Sequence, residues 1–145
     1  MSRALTAVAL AVDILLIRDG RVLLLRRKGS GYFDGFYAAP GGRVEMSEGL
    51  RAAAIRELEE ETGLRVAPVD VQLAVTLYNR EESTHGWIQH YFHVTQWAGE
   101  PKLCEPEKCD DMQWFSLDAL PEKTVPYLQQ VLDAFQRKES YVEYP

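Results

Sequence analysis

A chain of 145 residues is long enough for one domain with a full apolar core, and its 46% apolar and 26% charged residues are those of a globular protein. A formal net charge of −6 argues against nucleic-acid polymers or membrane surfaces as partners. It does not exclude an anionic small molecule, because a bound cation reverses the local potential.

The first predicted element is a long buried strand from Ala4 to Ile17, rich in Val, Leu and Ala. Its apolar run, Ala7 to Ile17, is too short to span a bilayer, is interrupted by Asp13, and is followed by no small-residue cleavage site. With no targeting segment in view, the cytoplasm is the expected compartment. Asp19-Gly20 is a hairpin signal, and Val22 to Leu25 is the return strand. The cluster Arg26, Arg27 and Lys28 ends that strand; it serves equally as a solvated strand end or as cations beside a phosphate. A Gly- and aromatic-rich loop follows, then Pro40-Gly41-Gly42, a turn that lets backbone come close to another group.

Residues 43 to 45 can form a short strand, and Ser47 is the expected N-cap of a helix from about Glu48 to Thr62, ended by Gly63. Val66 to Tyr78 and Gly86 to Trp97 are predicted strands, the first interrupted near its start by Pro68. Alternation places His90 and His93 on opposite faces of the second, where ordinary strand roles are expected of both. Residues 98 to 111 read as an acidic loop holding Cys104 and Cys109, expected to be reduced thiols because no further zinc ligands have suitable spacing. A short strand, Met112 to Phe115, and a turn at Leu117 to Leu120 precede a second amphipathic helix, Thr124 to Arg137. The polar, Tyr-containing tail has no role legible in the sequence. A mixed sheet between helices fits this order better than a parallel one.

The first helix has an unusual face. Glu57, Glu60 and Glu61 stand at i, i+3 and i+4 and continue the stripe begun by Leu50, Ala53 and Ala54, where apolar side chains would ordinarily follow. Like charges so placed repel by roughly 0.2–0.5 kcal/mol in the open and by more where water is excluded. Arg56 can pair with Glu60, but one arginine cannot neutralise three carboxylates. A hard divalent cation with oxygen ligands, Mg²⁺ or Mn²⁺, is the economical solution, and phosphate oxygens of a substrate would complete its shell. Such a site suits cleavage of a pyrophosphate bond.

The same residues carry a family resemblance. Gly42, Glu48 and the run Arg56-Glu57-Leu58-Glu59-Glu60-Glu61-Thr62-Gly63-Leu64 match every fixed position of the Nudix hydrolase signature. The strand–turn–strand start, Pro40-Gly41-Gly42 and the segment Trp114 to Pro121 resemble small MutT-type members, so the likeness covers most of the chain. It implies a single Nudix domain over residues 1–145 with an α/β fold, a mixed β-sheet sandwiched between helices (α/β/α). It implies hydrolysis of a nucleoside diphosphate linked to another group. By position, Glu57, Glu60 and Glu61 would bind the metal with the Gly41 carbonyl, one of them or a loop acid would act as base, and Arg56 would orient them. Glu48 would be peripheral, Glu59 solvated, and Glu107 (with Glu105) the candidate loop acid.

The resemblance favours a (deoxy)nucleoside triphosphate as substrate, releasing nucleoside monophosphate and pyrophosphate. The alternatives are ADP-ribose, a nucleotide sugar or dihydroneopterin triphosphate, and a non-catalytic binding module, against which the intact glutamates weigh. Candidate substrate contacts are Arg26, Arg27, Phe36 and Tyr127, with Tyr32, Phe33 and Tyr37 as further aromatics whose packing role is the simpler reading. The stretch from Pro121 to Tyr127 holds no Asn or Asp, which argues against strict 8-oxo-guanine specificity. A monomer or homodimer is expected, with a small nucleotide as partner.

Overall fold

The computed structural model describes residues 4–81 and 85–145. Strand β1 (Ala9–Arg18) turns at Asp19-Gly20 into β2 (Arg21–Arg27), pairing only at its tip, Ile17 with Val22 and Arg18 with Arg21. Two short strands follow, β3 (Tyr37–Ala38) on β2 and β4 (Gly41–Arg43) on β1. Helix α1 (Leu50–Thr62) leads through a 3₁₀ turn at Pro68–Asp70 to β5 (Val71–Asn79), which pairs antiparallel with β6 (Trp87–Val94). Strand β7 (Cys109–Ser116) runs antiparallel to β2; then come α2 (Leu128–Gln136) and β8 (Tyr141–Tyr144). Strands β1 and β6 are parallel through eight residue pairs, from Ala9 with Trp87 to Leu16 with Val94. The sheet is therefore mixed, in the order β3-β2-β1-β6-β5-β8.

Both faces of this sheet are covered, which is why β1 reads as a nearly continuous apolar run. Val12, Ile14 and Leu16 face the core under α1 with Ala53, Ala54 and Leu58; Leu15 faces the core under α2 with Leu128, Val131 and Leu132. Asp13 shares the α2-facing side by alternation.

Several boundaries differ from those expected. β1 begins at Ala9, not Ala4. Helix α1 begins at Leu50 with Gly49 as N-cap and no side-chain cap; Ser47 instead takes φ 65°. The side chain that would have continued the helix, Glu48, folds back to accept the Glu45 N–H and to hold Arg56. Gly63 ends the helix as expected, at φ 77° with its N–H on the Glu59 carbonyl. Helix α2 starts four residues later than expected. Residues before it run beside β3, with Tyr37 N–H on the Lys123 carbonyl and Val125 N–H on the Tyr37 carbonyl, and Pro126 disfavours helix at Val125. β7 takes in Cys109 to Asp111 from the expected acidic loop, and both cysteines are unpaired thiols. The unread tail is strand β8, parallel to β5 at the sheet edge, with Tyr144 against Tyr127. Among the described residues, no helix is long and apolar enough to cross a membrane.

Candidate active site

Helix α1 is pinned to the sheet by Ala53, Ala54 and Leu58, all essentially buried. Small residues at 53 and 54 bring its axis close to β1 and β4. One turn further on, Glu57 and Glu61 project toward β4 and line a cleft of about 520 Å³. Glu61 Oε2 accepts the Gly41 N–H at 2.9 Å. Gly41 stands opposite Asp13 in the β1–β4 ladder, at a position where N–H and C=O both leave the edge away from β1, so its carbonyl lies on the glutamate side as well. A Cβ on Gly42 would lie 2.4 Å from Glu57 Oε1, and one on Gly41 2.3 Å from the Val12 carbonyl. Two glycines are therefore required where strand and helix meet. Gly41→Ala should cost about 1–3 kcal/mol of stability, since it meets backbone. Gly42→Ala should keep its melting temperature and lose roughly tenfold or more in turnover, since what it displaces is the end of Glu57. Thermal melts and initial rates on the two variants check this.

Arg56 holds the cluster. Its Nε and Nη2 grip Glu48 at 2.7 and 2.8 Å, Nη1 donates to Glu57 at 2.9 Å and reaches Glu60 at 3.4 Å, and Nη2 also donates to the Arg43 carbonyl. That pairing holds the Glu48 carboxyl down at about 2. Glu61 behaves oppositely: burial first, then the neighbouring Glu57 charge, push its carboxyl well above the usual range. Burial also raises Glu57, against the pull of Arg56. Glu60 is 46% exposed, lies outside the cleft lining and turns to Arg56. The structure thus brings Glu57, Glu61 and Gly41 together and leaves Glu60 at the margin. Of the loop acids, Glu107 is exposed on the cleft rim, whereas Glu105 is half-buried and its charge acts on both Glu57 and Glu61.

As the side chains stand, no three carboxylate, imidazole or thiol groups converge as a metal cage among the described residues. The donor set nonetheless suits a hard cation. Two half-buried carboxylates repel each other beside a peptide carbonyl, and Mg²⁺ commonly takes one or two carboxylates, keeping its other positions for water and phosphate.

The remaining predicted contacts divide. Arg27 and Tyr127 line the cleft. Arg27 also ties down the loop before β3, donating from Nε to the Tyr32 carbonyl at 2.6 Å and from Nη2 to Ser30 Oγ. Arg26, one residue earlier and so on the other face of β2, pairs with Asp110 at 2.7 Å. Phe36 packs with Phe33 into the core under α2. Neither belongs to the cleft. Lys28, Lys108, Trp87, Gln89 and Asp13 do. Trp87 Nε1 is buried and unpartnered among the described residues, with the Arg43 guanidinium 5.1 Å from its ring. The signal for Asp13 was visible, as the one charge interrupting β1. Burial pushes its carboxyl up to about 7, opposed by the Gln89 hydrogen bond and by Arg27.

These carboxyls make the metal-free protein sensitive to pH. A raised carboxyl holds its proton more tightly in the folded chain, so the stability it contributes is present below the unfolded value and lost as pH rises through the folded one. For Asp13 that window runs from 3.8 to about 7, and Glu57 and Glu61 add in the same direction. Glu48 has the opposite sign, but its loss falls below the unfolded value of 4.5. Calorimetry without metal should therefore show Tm falling between roughly pH 5 and pH 8, with added Mg²⁺ restoring most at the high end.

The NUDIX domain family matches residues 8–135, which include α1, the cleft and both glycines. The chain belongs to the Nudix hydrolase family. It is 34% identical over 114 residues to an ADP-ribose pyrophosphatase of Methanocaldococcus jannaschii, covering 79% of this chain and 65% of that protein. It is 34% identical over 113 residues to an oxidized purine nucleoside triphosphate hydrolase of Danio rerio, covering 74% and 66%. A CTP pyrophosphohydrolase of Escherichia coli is 34% identical over 105 residues, covering 67% and 76%. The chain thus spans just under two thirds of the first two relatives. Among solved structures, a MutT Nudix hydrolase from Burkholderia pseudomallei superposes with a TM-score of 0.80 at 27% identity, covering 88% of this chain and 97% of that one. The Nudix fold, a mixed sheet with two helices, is accordingly that of MutT-type members of similar size.

Proposed function

We propose that the protein is a divalent-metal-dependent pyrophosphohydrolase of nucleoside diphosphate derivatives, with nucleoside triphosphates as its main substrates and nucleoside monophosphate and pyrophosphate as products. The observation that carries this is the pairing of half-buried Glu57 and Glu61 beside Gly41 in a cleft whose lining also includes Arg27, Lys28 and Lys108. A cleft of about 520 Å³ is of nucleotide size. The relatives named above are described as acting on ADP-ribose, oxidized purine nucleoside triphosphates and CTP, which supports the reaction class and leaves the base open.

Glu57, Glu61 and the Gly41 carbonyl would hold Mg²⁺ or Mn²⁺, with Glu60 swinging in from the margin. Bound there, the ion would offset phosphate charge and acidify a water ligand. Arg27, Lys28 and Lys108 bind and align the phosphates. Arg56 fixes the position of Glu57. Glu107 on the cleft rim, and Glu105, half-buried and with its charge acting on both glutamates, are the candidates to take a proton from the attacking water. The cytoplasm and a monomeric or dimeric state remain expectations of this reading. The test is a panel of nucleoside triphosphates, ADP-ribose, nucleotide sugars and dihydroneopterin triphosphate with Mg²⁺, products identified by mass. Nucleoside monophosphate plus pyrophosphate from a triphosphate is the expected result. Turnover of ADP-ribose alone would replace the substrate assignment, and no turnover of any diphosphate would end the enzymatic reading.

A further inference from the structure

The α2-facing side of the sheet ends at the cleft in a row of polar groups. Asn79 is fully buried, and its Nδ2 donates to Gln89 Oε1 at 3.1 Å. Gln89, 7% exposed, donates in turn from Nε2 to Asp13 Oδ2 at 3.1 Å. The row has a fixed direction. The Glu81 N–H requires the Asn79 oxygen, at 3.2 Å, so the Asn79 amide must offer its NH₂ to Gln89, and Gln89 its NH₂ to Asp13. Two buried amides thus orient one carboxylate. Asp13 Oδ1 takes no hydrogen bond among the described residues, and Asp13 lines the cleft without being closed off from it. Beside it the walls are small, Ala11, Ala38 and Ala39, with the Tyr32 and Tyr127 rings on the same cleft. That is room for a flat ring with one acceptor group at its edge.

We infer that Asp13, oriented by Gln89 and Asn79, reads the base of the substrate and selects a ring edge with two adjacent N–H donors, the 2-amino-4-oxopyrimidine edge shared by guanine and pterins. This rests on the pyrophosphohydrolase reading and deepens it. A carboxylate only accepts, and two parallel donors engage both its oxygens. Adenine and cytosine set one donor beside a ring nitrogen whose lone pair would face the carboxylate. Uracil and thymine set one donor between two carbonyls. Each mismatch leaves a desolvated carboxylate oxygen facing an acceptor, and sites built on such hydrogen bonds discriminate strongly. A ribose diol also offers two donors, and ADP-ribose is therefore one arm of the test.

At pH 8 with Mg²⁺, kcat/KM is measured for GTP, ATP, CTP, UTP, dihydroneopterin triphosphate and ADP-ribose on the wild type, Asp13→Asn and Gln89→Met. Binding of GMP and AMP is measured by calorimetry on the same proteins. The wild type should prefer GTP or dihydroneopterin triphosphate over ATP by roughly 100-fold, the two arms separating guanine from pterin. Asp13→Asn should reduce that ratio to within about threefold, because the amide puts a donor where only acceptors stood. Gln89→Met should narrow it partway. A merely structural defect lowers all substrates together and leaves the ratio standing, which overturns the inference, as does a wild type indifferent to the base or best with ADP-ribose. If no substrate is hydrolysed, the proposed function fails alone when GMP still binds better than AMP and Asp13→Asn erases the difference; equal binding overturns the inference too.

Discussion

Glu61→Gln is expected to lower pyrophosphate release by roughly three orders of magnitude while leaving the protein at least as stable as the wild type. The two effects have one cause. Glu61 is nearly buried, its charge faces Glu57, and one peptide N–H from Gly41 is its single hydrogen-bond donor among the described residues. In the folded, metal-free chain a charge there is unfavourable, as its strongly raised carboxyl shows. Glutamine keeps the Gly41 hydrogen bond through its amide oxygen and removes the charge, so metal-free Tm should rise, and rise most at pH 8. The same charge is what a divalent ion would need. Glutamine should therefore also abolish most of the Mg²⁺-dependent rise in Tm. Lower turnover together with higher metal-free stability separates a ligand from a structural residue, whose loss would lower both. Wild-type turnover at saturating Mg²⁺ in Glu61→Gln would remove Glu61 from the site.

The division of labour among the three glutamates was only half legible in the sequence. Helical spacing puts residues 57, 60 and 61 on one side, yet only Glu57 and Glu61 line the cleft. Spacing does not say where the stripe crosses from cleft to solvent, because that depends on how closely α1 sits on β4. Glu61 falls inside and Glu60 outside, and Arg56 takes Glu60 with it. The strands were legible where apolar content is nearly continuous, as in β1, or where apolar and polar residues alternate, as in β6. Strand β8 was not, since Tyr141 and Glu143 face solvent and only its docking on β5 makes it a strand. Gln89 was unreadable for the same reason. A polar residue in a strand looks solvated until its neighbours are known, and its partners, Asn79 and Asp13, come from two other strands. Arg26 and Arg27 looked equivalent, and strand alternation sent them to opposite faces.

Arg56→Ala should be the most damaging single change to the fold of the site. One guanidinium serves Glu48, Glu57 and Glu60 and a backbone carbonyl, with Glu45 at 3.8 Å. Removing it leaves four carboxylates around an empty space beside the middle of α1. Complete loss of one member of a buried pair costs about 3–5 kcal/mol; with the Arg56 side chain 24% exposed, about 2–3 kcal/mol is expected here. Turnover should fall roughly 100-fold, since Glu57 loses the donor that aims it. Arg56→Lys makes the sharper test. An ammonium restores the charge but not the fork, and cannot grip both Glu48 oxygens while reaching Glu57. Tm should recover by about half, through the Coulomb attraction, and turnover should stay low. High Mg²⁺ should then rescue turnover in Arg56→Lys more than in Arg56→Ala. A lysine variant matching the wild type in both Tm and turnover would mean that charge alone holds the cluster and that the geometry of the fork contributes nothing.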